Sequence, residues 1–357
     1  MKSAQHHLES LDAFRGLTIA GMILVNNPGS WDSVYPQLMH ADWNGCTLAD
    51  LVYPFFIVIL GTALPFALKR RRESGHQIRR LYVRFARRAA LLFVLGFVLN
   101  IVAANFSLAT VRIPGVLQRI AIVYFFAAAI TLHTPPRARA LVALALMAIH
   151  WFVLRLAPLT PRDTIAAAID RAAFGAHILT QAGDPEGLLG TLSAIASALI
   201  GSVAGDWLRT DVSRRRHARG LAAAGLSLVI AGTAWSFALP FNKQLWSGSY
   251  AVFTSGLALL ALAGCYWAIE IRHARRWAQP FVWLGLNPLA IYFLSELIGH
   301  VLDLTSGKTI LYWYMLRPAV HPPLNEVGTS LVFAVLTVSL WTGVAGVMYR
   351  RGVRVQV

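Results

Sequence analysis

Three consecutive stretches decide the fold: LDAFRGLTIAGMILVNN (11–27), PGSWDSVYPQLMHADWNGCT (28–47) and LADLVYPFFIVILG (48–61). The first and third are apolar and read as helices of membrane-crossing character. The second is a polar loop that holds His40, Asp42, Trp43 and Asn44, has Asn26 and Asn27 at its near edge, and carries no Lys or Arg. Both apolar segments contain charge that a lipid-facing helix would not tolerate, Asp12 and Arg15 in the first and Asp50 in the second. A charge near the hydrocarbon region costs several kcal/mol unless it faces a polar interior, so these residues mark a functional site.

Outside that stretch the chain reads as scaffold. Its 357 residues are 57% hydrophobic and only 13% charged, with a mean hydropathy of +0.57. A soluble chain carries roughly a quarter charged residues, so this is a polytopic membrane protein. The net charge of +16 would point to nucleic acid in a soluble protein. Here the basic residues sit in short connections between apolar runs, where they act as topology signals. No nucleic-acid partner is expected. Cys46 and Cys265 form no CxxC and no metal set, so neither a disulfide nor a metal is expected. With Arg15 inside the first apolar segment and no small-residue cleavage site after it, no cleavable signal peptide is expected.

Apolar runs predict an all-α, polytopic membrane helical bundle of about ten transmembrane helices. They lie near 11–27, 48–68, 81–103, 114–132, 139–157, 187–208, 219–240, 250–270, 280–303 and 324–349. Connections alternate in charge. Lys2, nine basic residues in 69–88, Arg137, Arg139, the arginines of 209–219, Arg272, Arg275, Arg276 and those of 350–354 fall on one side. Only Arg112, Arg162, Arg171, Lys243, Lys308 and Arg317 fall on the other. The positive-inside rule then puts both termini in the cytoplasm and the His40 loop outside. Residues 1–357 are expected to form a single transmembrane domain with no separate soluble unit, the loop 158–186 partly covering the outer mouth.

Arg15 and Asn26 are three helical turns apart, on one face and roughly 16 Å apart along the axis. Asp12 can pair with Arg15 as a simple end-of-helix ion pair. The imidazole of His40 is of the kind that suits proton transfer from an amine or hydroxyl. Asn26 or Asn44 can donate to an oxyanion. Trp31, Tyr35 and Trp43 offer flat faces for a sugar ring. Arg119, in PGVLQRIAIVYF, needs a polar cavity, a carboxylate or a phosphate. Glu296, His300 and Asp303 share one helical face, with Asn287 just upstream, in an arrangement that structural pairing explains as well as substrate contact does. Asp184 and Glu186 in DPEG also read as ordinary helix capping. His6, His7, His76, His133, His217 and His273 read as solvated or interfacial.

Several of these segments together resemble the heparan-alpha-glucosaminide N-acetyltransferase family, including its bacterial NagX-like members: SLDAFRGLTIAGMILVN, HADWNGCTLADLVYPFFIVILG, PGVLQRIAIVYF, DPEGLLGTL, NKQLWSGSY and GLNPLAIYF. The block around HADWNG is the most specific. The resemblance implies transfer of acetyl from cytoplasmic acetyl-CoA to the amine of a terminal glucosamine across the membrane. The family's active-site histidine falls on His40 and its nearby asparagine on Asn26. Whether the histidine carries acetyl covalently or acts as a base stays open at this point.

The expectation is therefore a polar shaft lined by spans 1, 2, 4 and 9. Arg15 and Arg119 would hold the acetyl-CoA toward the inside, and Asp50, Trp43, Asn44, Asn287 and Glu296 would face the acceptor. A homodimer is an allowed assembly. Two alternatives stand beside it: a transporter for amino sugars or muropeptides using the intramembrane charges, and an O-acyltransferase of an envelope polysaccharide.

Overall fold

The computed structural model describes residues 8–73, 77–321 and 323–355. Lys2, His6, His7 and His76 lie outside the described residues. Apart from one isolated bridge between Thr180 and Gly183, regular structure among the described residues is helical. In chain order the helices begin with α1 (Glu9–Asn26), α2 (Ala49–Glu73), α3 (Ile78–Ala103), α4 (Val116–His133) and α5 (Pro136–Leu154). They continue with α6 (Ile165–Phe174), α7 (Leu188–Trp207), α8 (Arg214–Ser236), α9 (Gly248–Tyr266), α10 (Gln279–Leu286) and α11 (Pro288–Leu304). A short irregular stretch, α12 (Gly307–Thr309), a π-helical segment (Ile310–Leu316) and α13 (Arg317–Val320), leads to α14 (Glu326–Arg350).

Among the described residues, eight helices are long and apolar enough to cross a membrane, or nine if α10 and α11 count as one bent span. The expected span at 280–303 is thus not a straight helix. It bends by 84° between Leu286 and Pro288. Pro288 offers no N–H and disfavours helical geometry at the residue before it, and Asn287 accordingly sits at φ −127°, ψ 46°. The first expected span, α1, lies outside those eight: it keeps its helix but carries Glu9, Asp12 and Arg15 in 18 residues.

Small residues hold the centre together. α7 is the most enclosed span, and Ser197, Gly201 and Gly205 repeat every four residues along it. A Cβ on Gly201 would overlap the Val58 carbonyl, one on Gly205 the Thr62 carbonyl, and one on Gly61 the Ala198 carbonyl. α2 and α7 therefore approach backbone to backbone, the packing that lipid, lacking a hydrophobic drive of its own, favours. α1 meets α10 in the same way, with Gly16 under Phe281 and Gly285 under Asp12.

The two ends of the bundle differ. At one end Glu9 pairs with Arg275 at 3.2 Å, Arg214 donates to the Glu270 carbonyl at 2.8 Å, and Arg139 pairs with Asp206. The other end carries the loops 27–48, 104–115, 155–187 and 237–247. The loop 155–187 contains α6, and the Asp170 carboxylate on that helix accepts the Leu188 N–H at 3.0 Å, so α6 caps the start of α7.

Candidate active site

The HADWNG loop is fastened onto the loop before α9. Gly45 N–H donates to the Phe241 carbonyl at 2.8 Å, Asn242 to Asn44 Oδ1 at 3.3 Å, and Gln244 to the Asp42 carbonyl at 3.0 Å. On its other flank the Trp43 indole donates to the Leu159 carbonyl at 2.9 Å, with its ring packed beside Leu154, Leu189 and Leu245. Trp43 and Asn44, expected at the acceptor, are thus used to hold the loop. The supporting loop is rigid in turn: Asn242 Oδ1 accepts from Leu245 N at 2.8 Å, and the fully buried Trp246 sits at φ +50°.

This fastening aims His40. Its Nδ1 lies 2.8 Å from Asp50 Oδ1 at the first turn of α2. The Asp50 carboxylate is fully enclosed, whereas the imidazole keeps 47% of its surface open. The second Asp50 oxygen accepts from the Ala41 and Thr47 backbone N–H groups and the Thr47 hydroxyl, each at 3.1 Å. From beneath, the Tyr250 hydroxyl donates to the Asp50 carbonyl at 2.5 Å. Asp50, expected at the acceptor, lies sealed against the His40 ring, in a position to orient it. With Nδ1–H donating to the carboxylate, Nε2 is left with its lone pair, the arrangement that makes imidazole a directed base.

A third member was not foreseen. Lys243 Nζ lies 3.1 Å from His40 Nε2, 3.0 Å from Nδ1 and 3.5 Å from Asp50 Oδ1. Burial pulls this lysine below its ordinary range, and Asp50 and Glu186 pull it partly back. Its motif, NKQLWSGSY, was visible in the sequence, but no local pattern links it to a histidine 203 positions away. Cys46 lies close by, its thiol pushed up to about 12 by burial and by Asp50.

Beside this group Arg112 forms ion pairs with both Asp184 and Glu186, its Nε reaching Asp184 Oδ2 at 2.7 Å. Burial acts to lower the guanidinium, yet the two carboxylates outweigh it and hold it above its usual value. DPEG is therefore an ion-pair cluster, and the capping of α7 falls to Asp170. Arg119 sits at this same end. It is 1% exposed, donates to the Gly187 carbonyl at 3.0 Å and lies 5.1 Å over the Trp246 ring. It was expected toward the inside with Arg15. α4 starts at this end, so its first turns place Arg119 near the His40 loop.

Arg15 lies at the opposite end, bonded to Asp12 at 2.9 Å and to the Gly285 carbonyl at 3.1 Å. Asn287 lies nearby and clamps the C-terminal segment, donating to Val353 O at 3.1 Å and accepting from Val355 N at 2.7 Å. It makes a backbone clamp at the helix break.

A cavity of about 1130 Å³ opens among α1, α3, the start of α4, α11, the π-helical segment and α14. Asn26 and Glu296 line it, joined at 3.1 Å, together with Arg112, His300 and Asp303. The polar face predicted for α11 thus does turn to a cavity. The cavity is bounded by α3 and α14 rather than by α2, and neither Arg15 nor His40 lines it. Glu186 pairs with Arg112 on the cavity wall, and its charge acts to raise Lys243.

The catalytic-region profile of the heparan-alpha-glucosaminide N-acetyltransferases matches residues 8–180. Over 98% of this chain the sequence is 27% identical to heparan-alpha-glucosaminide N-acetyltransferase of Mus musculus, and over 96% it is 27% identical to that of Homo sapiens. The chain spans 60% and 59% of the length of these two relatives. The matched profile region contains His40, Asp50, Arg112 and Arg119, and the wider similarity extends through Lys243. The chain is thus similar to the heparan-alpha-glucosaminide N-acetyltransferases over nearly its whole length, with the match to their catalytic-region profile covering residues 8–180.

Proposed function

We propose that this protein is an acetyl-CoA-dependent N-acetyltransferase of a bacterial inner membrane. It acetylates the amine of a glucosamine-type sugar at the periplasmic face, with both termini cytoplasmic and residues 1–357 acting as one domain. The observation that carries the reading is the half-open His40 imidazole held by the enclosed Asp50 carboxylate at 2.8 Å. That pair presents a basic nitrogen to an acceptor while fixing its tautomer. The family similarity suggests the acyl-transfer chemistry, and the smaller number of Lys and Arg at the His40 end than at the other supports the orientation.

The step consistent with this geometry is direct. The neutral sugar amine attacks the thioester carbonyl carbon, forming the C–N bond. His40 Nε2 takes the proton released from nitrogen. Collapse of the tetrahedral intermediate breaks the C–S bond, and CoA leaves as thiolate. Lys243 offers positive charge where the carbonyl oxygen becomes anionic. Asn26, on the cavity wall and bonded to Glu296, offers an amide to an acyl group that enters the cavity.

Sided assay in sealed, oriented vesicles tests the reading. With acetyl-CoA confined to the cytoplasmic side and glucosamine supplied only outside, acetylglucosamine should accumulate outside without sugar uptake. Sugar uptake in the absence of acetyl-CoA would favour a carrier instead.

A further inference from the structure

The large cavity has two unlike parts. At the His40 end its wall carries Asn26, Arg112, Glu296, Asp303 and Lys308. Below them it continues between α3, which packs on α4 and α11, and α14, which packs on α10 and α1. Ser330 fixes the first turns of α14 at the His40 end, its carbonyl accepting from Gly29 N–H at 3.3 Å. From Glu326 to Trp341, the deepest wall residue on this helix, α14 rises about 22 Å against a hydrocarbon layer of about 30 Å. The lower part is apolar in effect. Thr337 of α14 donates its hydroxyl to the Phe333 carbonyl at 3.0 Å, and Asn100 of α3 donates to the Arg112 and Pro114 carbonyls at 2.7 and 2.8 Å. Leu336 and Leu340 on this wall are 51% and 65% exposed, and Met315 of the π-helical segment is 64% exposed. A closed pocket buries its lining, so this one is open along its side, where the chains of the bilayer lie. Trp31 at the mouth and Trp313 and Tyr314 on the π-helical segment are exposed aromatic residues of the kind that sit at headgroup depth.

The charges on the upper wall are matched with one exception. Arg112 is paired with Asp184 and Glu186, and Lys308 lies 3.8 Å from Asp303. Glu296 accepts from Asn26 at 3.1 Å and has no cation within ion-pair distance among the described residues. We propose that the acceptor is a membrane-borne amphiphile: an amino sugar whose ammonium docks at Glu296 and whose hydrocarbon chain lies in the crevice between α3 and α14. This rests on the N-acetyltransferase reading for its sugar and adds the chain. A free sugar matches only the upper part, where an ammonium can make a charge-assisted hydrogen bond. The side opening lets such an acceptor reach the site without leaving the bilayer. At about 1130 Å³ the cavity exceeds the range of roughly 300–1,000 Å³ for one small ligand, so an acyl thioester at Asn26 and a chain along α14 have separate room.

Photolabelling of the full chain in lipid nanodiscs tests the proposal, with no acetyl-CoA present. The probe is dodecyl glucosaminide carrying a diazirine in its chain. Fragment masses should place the label on residues 333–341 of α14. Unlabelled dodecyl glucosaminide should block it roughly tenfold better than dodecyl glucoside, which has a hydroxyl in place of the amine. Glu296→Gln, which can still accept from Asn26, should erase that preference. Leu336→Trp with Leu340→Trp, both at exposed positions, should fill the crevice and remove the label. Label spread equally over other lipid-facing residues such as Leu91 and Phe152 would overturn the proposal, as would equal blocking by dodecyl glucoside. Blocking along α14 by acetyl-CoA instead of the amphiphile would assign the crevice to the donor and overturn it too. Because occupancy is read without turnover, a chain that takes the label in this pattern and never acetylates the amphiphile would sink the N-acetyltransferase reading while upholding the site.

Discussion

Asp50 Oδ1 stands 2.8 Å from His40 Nδ1, and the two differ completely in exposure: the carboxylate is sealed, the imidazole half open. A sealed carboxylate with two backbone N–H donors is a fixed negative charge, so it can orient the ring without competing for the acceptor's proton. Asp50→Asn keeps the shape but lets the ring adopt the other tautomer. Turnover should fall on the order of 10²–10⁴-fold. Acceptor affinity should change little, because Asp50 is out of the acceptor's reach. Steady-state kinetics in detergent check this, and an Asp50→Asn enzyme with wild-type kcat would remove the dyad from the mechanism.

Lys243 gives a pH signature. Burial lowers it despite Asp50 and Glu186, so the folded chain releases this proton at lower pH than the unfolded chain. Between the shifted value and the ordinary lysine value of about 10.4 the unfolded state binds more protons. Stability therefore rises with pH through that window and levels off above it. The pH dependence of thermal unfolding should carry this rise in the wild type and lose it in Lys243→Met; identical slopes in the two proteins would contradict the assignment.

Cys46 should be a slow thiol. With its proton held up to about 12, about one molecule in 10⁴ is thiolate at pH 8, far below an exposed cysteine. Maleimide labelling should be slower by roughly 10³-fold than at an unstructured control cysteine. Unfolding the chain should restore the ordinary rate, and fast labelling of the native protein would count against the packing around Asp50.

Arg112 holds two carboxylates at once. Arg112→Ala leaves Asp184 and Glu186 without their cation, and breaking such a pair costs about 3–5 kcal/mol. The variant should unfold at markedly lower temperature, while Arg112→Lys should recover part of the loss.

Much of this architecture is legible in the sequence because a bilayer leaves the chain few options. Spans must be long, apolar and helical, so all ten expected segments are helices. The break in the ninth lay in Asn287-Pro288, whose local geometry outweighed a hydropathy run that continues through it. The site was legible only in part. His40, Asn26, Asp50 and Glu296 stand out as polar groups beside apolar runs. Their partnerships do not: Asp50 to His40 depends on how a loop folds back, and Lys243 to His40 and Arg112 to Asp184 join residues 203 and 72 positions apart. Arg119, expected toward the inside, lies at the His40 end because α4 begins there, a direction that follows from the alternation of spans and not from the local motif.

The most direct measurement is transfer of labelled acetyl from acetyl-CoA to glucosamine by His40→Ala, alongside acetyl-CoA binding to the same protein. The expected result is a loss of turnover of at least about 10²-fold with binding retained, since His40 lies outside the large cavity. Wild-type turnover in that variant would contradict it.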